Sequence, residues 1–122
     1  MTVTVAQKKR IIARDLGLCM IGLLGCTREA QTADHRANRG AGGSGGVLDH
    51  PANLIGACSL CNAAKEDATG ITRLELIDRG VIVPRDSTHR KTLIRVISTP
   101  VVDPAGRGFL LIDHDTRELI AA

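Results

Sequence analysis

Two pairs of cysteines constrain this chain more than any other feature. Cys58 and Cys61 stand in a C-x2-C step, and Cys19 and Cys26 in a wider C-x6-C step that encloses MIGLLG. The narrow pair can grip one metal ion from the start of a helix, and two pairs together supply the tetrahedral sulfur set of a structural zinc. The wider pair is a weak signal alone. Its two glycines, however, suit a tight hairpin that turns the second sulfur back toward the first. In a reducing compartment four such cysteines point to zinc rather than to two disulfides. Composition supplies the motive for a metal. With one Phe, no Tyr and no Trp in 122 residues, Ala, Val, Ile and Leu must fill the core, and a structural metal offsets that shortfall.

The second pair lies inside NLIGACSLCNAAK, Asn53 to Lys65, where an amide, two thiols, a second amide and a lysine crowd into thirteen residues. A solvated loop or a core helix does not require that density of ligand chemistry. Eighteen residues before Asn53 comes the step Asp34-His35, and between the two lies GAGGSGG, residues 40–46, with five glycines in seven positions. Such a run cannot offset the entropy of a regular element, so it is expected to be a flexible excursion that admits a substrate or merely links two strands.

The rest of the chain reads as alternating short elements. Residues 5–16, VAQKKRIIARDL, set Val5, Ile11, Ile12 and Leu16 near helical spacing, with Gly17 as the stop. QTADHR, residues 31–36, predicts a short strand with Asp34 and His35 on opposite sides, and residues 47–55 a second extended piece with a turn at His50-Pro51. A helix is expected from Cys58 to about Asp67, with Asn62 and Lys65 sharing one face. ITRLELIDR, residues 71–79, predicts a short amphipathic helix with Ile71, Leu74 and Ile77 on one side, stopped by Gly80. Residues 92–102 alternate loosely and are β-branched, DPAGRG makes a turn, and FLLIDHDTRELIA predicts a hairpin about Asp113 to Thr116.

Asp-His, then Asn, then C-x-x-C-N-x-x-K in this order resembles the HNH endonuclease family. The likeness is to the subgroup with four zinc-binding cysteines met in phage and bacterial genomes, and it covers about Arg14 to Lys65. It implies an α+β fold built on a small ββα-metal (His-Me finger) nuclease core with a structural zinc, spanning residues 1–70. Residues 71–122 then extend the same domain with a helix and a β-hairpin. The implied reaction is metal-dependent hydrolysis of DNA phosphodiesters, by nicking or, with a dimer or a larger phage or bacterial enzyme as partner, by double-strand cleavage.

A phosphodiester resists attack because a nucleophile must approach an anion and an alkoxide must leave, so a catalyst needs a base and a cation. The resemblance makes His35 the base that activates water. It puts Asp34 and Asn62 on a hard catalytic ion, and Asn53 behind the histidine as the residue that holds the loop through backbone hydrogen bonds. Cys19, Cys26, Cys58 and Cys61 become the zinc ligands. Where many members carry a final histidine this chain has Asn62, whose oxygen favours Mg²⁺ or Mn²⁺ over softer ions. The proline that often follows the Asp-His step is also missing. Arg36, Arg39 and Lys65 are candidates to hold the DNA phosphates.

Charge distribution agrees with an anionic partner. Residues 1–46 hold seven Lys/Arg against three acids, a balance of +4, while the remainder holds nine against ten, or −1. No charged-then-apolar leader opens the sequence and no apolar run approaches a membrane span, so the cytoplasm, that of the host cell for a phage protein, is the expected location. The rival class is a zinc-stabilised DNA-binding or assembly module without catalysis. That module would keep the cysteines and basic surface but has no need of Asp34, His35 and Asn62 together.

Overall fold

Thr4 opens the first helix through a reciprocal cap. Its hydroxyl accepts from the Gln7 amide and the Gln7 side chain accepts from the Thr4 amide, which satisfies two donors that a helix start otherwise leaves bare. Helix α1 then runs Val5–Arg14 and buries Ile11 completely. The chain leaves it through Leu16 and Gly17, both at positive φ, so the helix ends short of the predicted Leu16. This computed structural model describes residues 3–38, 40 and 46–122, which form a mixed α+β fold with two small antiparallel sheets.

The first sheet pairs β1, Thr32–His35, with β2, Leu54–Ala57, so that Asp34 lies opposite Ile55 and His35 opposite Leu54. Helix α1 packs against both strands. The extended piece expected over 47–55 is instead two 3-10 turns, Val47–Asp49 and Pro51–Asn53, and only its end enters β2. Pro51 explains the second turn. It stands at the first helical position, where its missing N–H is no loss, and His50 Nδ1 accepts from the Ala52 amide as the cap. Helix α2, Ser59–Glu66, follows β2 directly, with Cys58 as its N-cap.

Helix α3 runs Gly70–Asp78 and stops where Gly80 takes φ +71. A side chain at Gly80 would strike the Pro100 carbonyl, so both conformation and close approach demand glycine. The buried side of α3 differs from the predicted one. Leu76 is buried, whereas Ile71 is 74% and Leu74 65% exposed. The larger difference lies downstream, where the β-branched run read as extended is helix α4, His89–Ser98. The Thr88 hydroxyl caps it by accepting from the Lys91 amide, and Thr92 and Val96, four apart, are its buried positions. Packing thus overrides the β preference of Thr, Ile and Val.

A second sheet, ordered β3-β4-β5, closes the chain with Val101–Val102, Gly108–Leu111 and Arg117–Ala121. Its hairpin turns near residues 112–116 as the sequence predicts. One hydrophobic cluster runs through both halves of the chain, from Met20, Ile21 and Ile55 to Leu76, Val96 and Phe109. In place of aromatic residues, buried and half-buried arginines tie its loops together. Arg14 grips Asp15 with two nitrogens and donates to the carbonyls of Pro51, Leu54 and Asp113. Arg79 donates to the carbonyls of Met20, Ile21 and Val102. No helix among the described residues is long and apolar enough to cross a membrane.

Candidate functional site

The cysteine knuckle is built from three local features. Gly22 and Gly25 take positive φ, the Cys19 amide donates to the Arg28 carbonyl across the hairpin, and the Met20 amide donates to Gly56 in β2. Arg79 then holds the Met20 and Ile21 carbonyls from the other side. As a result the Sγ atoms of Cys19, Cys26, Cys58 and Cys61 all lie within 4.8 Å of one another, with Cys26 and Cys58 3.9 Å apart. Tetrahedral zinc–sulfur bonds of ~2.3 Å set the sulfurs ~3.8 Å apart, whereas a disulfide needs ~2.05 Å. All four cysteines are free.

Backbone amides prepare these sulfurs for negative charge. Leu23 N–H donates to Cys61 Sγ at 3.3 Å, Arg28 N–H to Cys26 Sγ at 3.3 Å and Cys61 N–H to Cys58 Sγ at 3.4 Å. Burial pushes the Cys58 thiol up, but amides of Thr27 and Cys61 outweigh it and bring it down to about 6. Burial pushes Cys19 and Cys61 up. The Cys58 thiolate therefore forms readily, and a cation would offset the burial of Cys19 and Cys61. A four-sulfur set with no open position fits a structural metal such as zinc.

The second cluster sits where β1 meets α2. His35 Nε2 lies 2.7 Å from Asp49 Oδ1. On the neighbouring residue, Asp34 Oδ2 accepts from the Lys65 ammonium at 2.6 Å, and the same ammonium donates to the His35 carbonyl. Burial pushes the Asp34 carboxyl up, and Lys65 pulls it back only in part. Asn62 lies one turn before Lys65 on α2, and its side chain makes no hydrogen bond among the described residues. A cleft of about 370 Å³ opens here, lined by His35, Asn38, Lys65, Glu66, Arg73 and Arg85.

Asn53 gives this cluster its shape. Fully buried, it accepts from the Ala37 amide at 2.8 Å and donates to the carbonyls of Ala37 and Leu48 at 3.0 and 2.8 Å. One side chain thus ties Ala37 to Leu48 across the glycine-rich run of residues 40–46, and the flexible excursion expected there lies largely outside the described residues. Asp49 stands beside His35 although fourteen residues separate them. Backbone bracing is the role the resemblance implied for Asn53.

The proposed phosphate ligands need correcting. Arg36 is 1% exposed and its guanidinium donates to the carbonyls of Gly80, Ala52, Val96, Thr99 and Pro100, so no donor remains for a phosphate. Lys65 is buried and holds Asp34, which makes it a partner of the site rather than an open phosphate contact. Arg39 lies outside the described residues. Among the described residues, Arg73 and Arg85, both exposed, bring positive charge to the cleft, with the Arg85 guanidinium also 3.3 Å from His89 Nε2. Sequence reasoning missed them and Asp49. Asp49 stands four residues before Asn53, but no spacing rule marks it, because its partner His35 is fourteen residues away in the chain. No protein-family model, curated protein or solved structure matches the chain.

Proposed function

We propose that the chain is a metal-dependent endonuclease of the HNH type that hydrolyses DNA phosphodiesters. The observation that carries this reading is the junction of β1 and α2: a half-buried histidine bonded to a carboxylate, next in sequence to a buried carboxylate, at the mouth of one arginine-lined cleft. On this reading β1, β2 and α2 form the ββα unit, and the four cysteines hold the structural zinc behind it.

His35 takes a proton from water, and the hydroxide oxygen bonds to phosphorus in line with the 3′ oxygen. The P–O3′ bond breaks, its electron pair stays on the 3′ oxygen, and solvent protonates it, leaving a 5′-phosphate and a 3′-hydroxyl. A divalent ion such as Mg²⁺ or Mn²⁺, if held by Asp34 and Asn62, would supply positive charge against the charge that develops on the phosphate. Asp34 Oδ1 carries no hydrogen bond among the described residues and would be the oxygen offered to such an ion, with Asn62, one turn before Lys65 on α2, as the second residue that would hold it. Lys65 favours the ionised form of Asp34 against its burial and fixes the direction of Oδ2.

The test is nicking of supercoiled plasmid in EDTA, Mg²⁺, Mn²⁺ or Zn²⁺. Wild type is expected to nick only with an added ion, and His35→Ala to lose roughly a thousandfold in rate with plasmid binding and metal content retained. Wild-type protein that binds plasmid but never nicks it would leave the zinc-stabilised binding module as the function. A second expectation concerns binding alone. Changing Arg73 and Arg85 together to Glu should weaken DNA affinity tenfold or more and flatten its salt dependence in filter binding. An unchanged salt slope would remove the two arginines from the interface.

A further inference from the structure

We infer that Asp49 is a positioning residue that holds the His35 ring in its Nε2–H tautomer and turns Nδ1 toward the cleft, making Nδ1 the nitrogen that meets the substrate. The ring assignment stands on geometry, and only the use made of Nδ1 rests on the nuclease reading above.

The 2.7 Å contact joins Asp49 Oδ1 to Nε2, and the two side chains are 12% and 21% exposed. An ionised carboxylate only accepts, so Nε2 must carry the proton, and a neutral ring then has its lone pair on Nδ1. No other side chain bonds the ring among the described residues. The other charged groups near it are committed elsewhere or stand apart. Asp34 and Lys65 hold each other, Lys65 reaches only the His35 carbonyl, and Glu66, Arg73 and Arg85 line the walls of the cleft.

Asp49 is also rigidly seated. It ends a 3-10 turn whose amide donates to the Gly46 carbonyl, and the preceding Leu48 is fully buried with its carbonyl held by Asn53. The carboxylate therefore belongs to the fold's interior framework although it follows the glycine-rich run. In the proposed reaction the proton taken by Nδ1 makes an imidazolium, which Asp49 stabilises through Nε2 until solvent removes that proton.

Two readouts test this on the full-length protein with its metal. The first is the long-range ¹H–¹⁵N correlation pattern of the His35 ring in mildly alkaline buffer, with His35→Ala identifying the signals. Wild type is expected to show the Nε2–H form, Asp49→Ala a mixture of both forms, and Asp49→Asn, whose amide oxygen still accepts, the wild-type form. An Nδ1–H pattern in wild type, or no change in Asp49→Ala, overturns the inference. The second is the nicking rate at saturating plasmid. Asp49→Ala should lose about a hundredfold with plasmid affinity unchanged, and Asp49→Asn should recover part of it. Full activity in Asp49→Ala also overturns the inference. Should Asp49→Ala not fold, Asp49→Asn and the wild-type tautomer decide. A wild type that never nicks defeats the nuclease reading alone, because the tautomer is still read.

Discussion

Arg36→Ala is expected to abolish cooperative folding, or to lower the unfolding free energy by about 5 kcal/mol, instead of acting as a change in DNA affinity. The guanidinium has five N–H donors, and all five are used on carbonyls of Gly80, Ala52, Val96, Thr99 and Pro100. Three of those carbonyls belong to the end of α4 and the residues just after it, where a helix leaves acceptors unsatisfied and favours positive charge. Hydrogen bonds to charged groups contribute about 1.5–3 kcal/mol each, and they are not additive within one cluster. A few of them already rival the 5–15 kcal/mol total of a typical domain.

Burial opposes this arrangement. It pushes the Arg36 guanidinium down to about 10, with Arg14 adding a smaller push, yet the group remains protonated at neutral pH and the carbonyls replace its water. Alanine would leave those carbonyls buried without donors. Arg36→Lys, with three donors on a flexible stem, should fall between the two. Urea unfolding followed by far-ultraviolet circular dichroism suits a chain with no Trp or Tyr. A stable Arg36→Ala that has lost DNA affinity would return Arg36 to the role of phosphate ligand.

Cys58→Ser carries the other large effect, because it removes one sulfur from the four-cysteine cluster while leaving a hydroxyl that can still cap α2, so the loss reads the metal site alone. Bound zinc should fall from one per chain to near zero, and the thermal transition should be lost or broadened. Apparent binding free energies of structural zinc reach ~10–16 kcal/mol in small domains, as large as the stability of a whole domain. Without the ion the four sulfurs have no cation between them, so the hairpin carrying Cys19 and Cys26 is free to leave α2. Its loss would also strip Arg79 of the Met20 and Ile21 carbonyls and loosen the link to the second sheet. Metal analysis of the purified variant, beside calorimetry of wild type with and without a chelator, reads both effects. Unchanged metal content in Cys58→Ser would sink the zinc assignment.

Local signals were legible in the sequence. The two cysteine pairs, the glycines that turn the knuckle, the stop of α3 at Gly80, the strand ending in Asp34-His35 and the closing hairpin each depend on residues within about one turn of each other. Chain geometry at that range is set by φ preferences, caps and side-chain spacing, which a sequence states directly. Helix α4 was hidden because Thr92, Ile94, Val96 and Ile97 favour a strand on their own, and only the burial of Thr92 and Val96 against the rest of the fold decides for a helix. The buried face of α3 was misread for the same reason.

The site divides along that line. The clustered Cys19, Cys26, Cys58 and Cys61 and the neighbours Asp34, His35 and Asn53 stand out by residue type and order, whereas Asn62, chosen the same way, meets no hydrogen-bond partner among the described residues. Tertiary structure decided which charges stay in water. Arg36 sits one residue after His35, a position suited to a phosphate ligand, yet its carbonyl partners lie 16 to 64 residues away and close over it. Asp49 stands beside His35 where the Asn53 amide bonds both the Ala37 and the Leu48 carbonyls, which are eleven residues apart in the chain. A sequence declares which groups can donate, accept or ligate; where each one meets its partner depends on a loop closing, and that is settled by the packing of the whole chain.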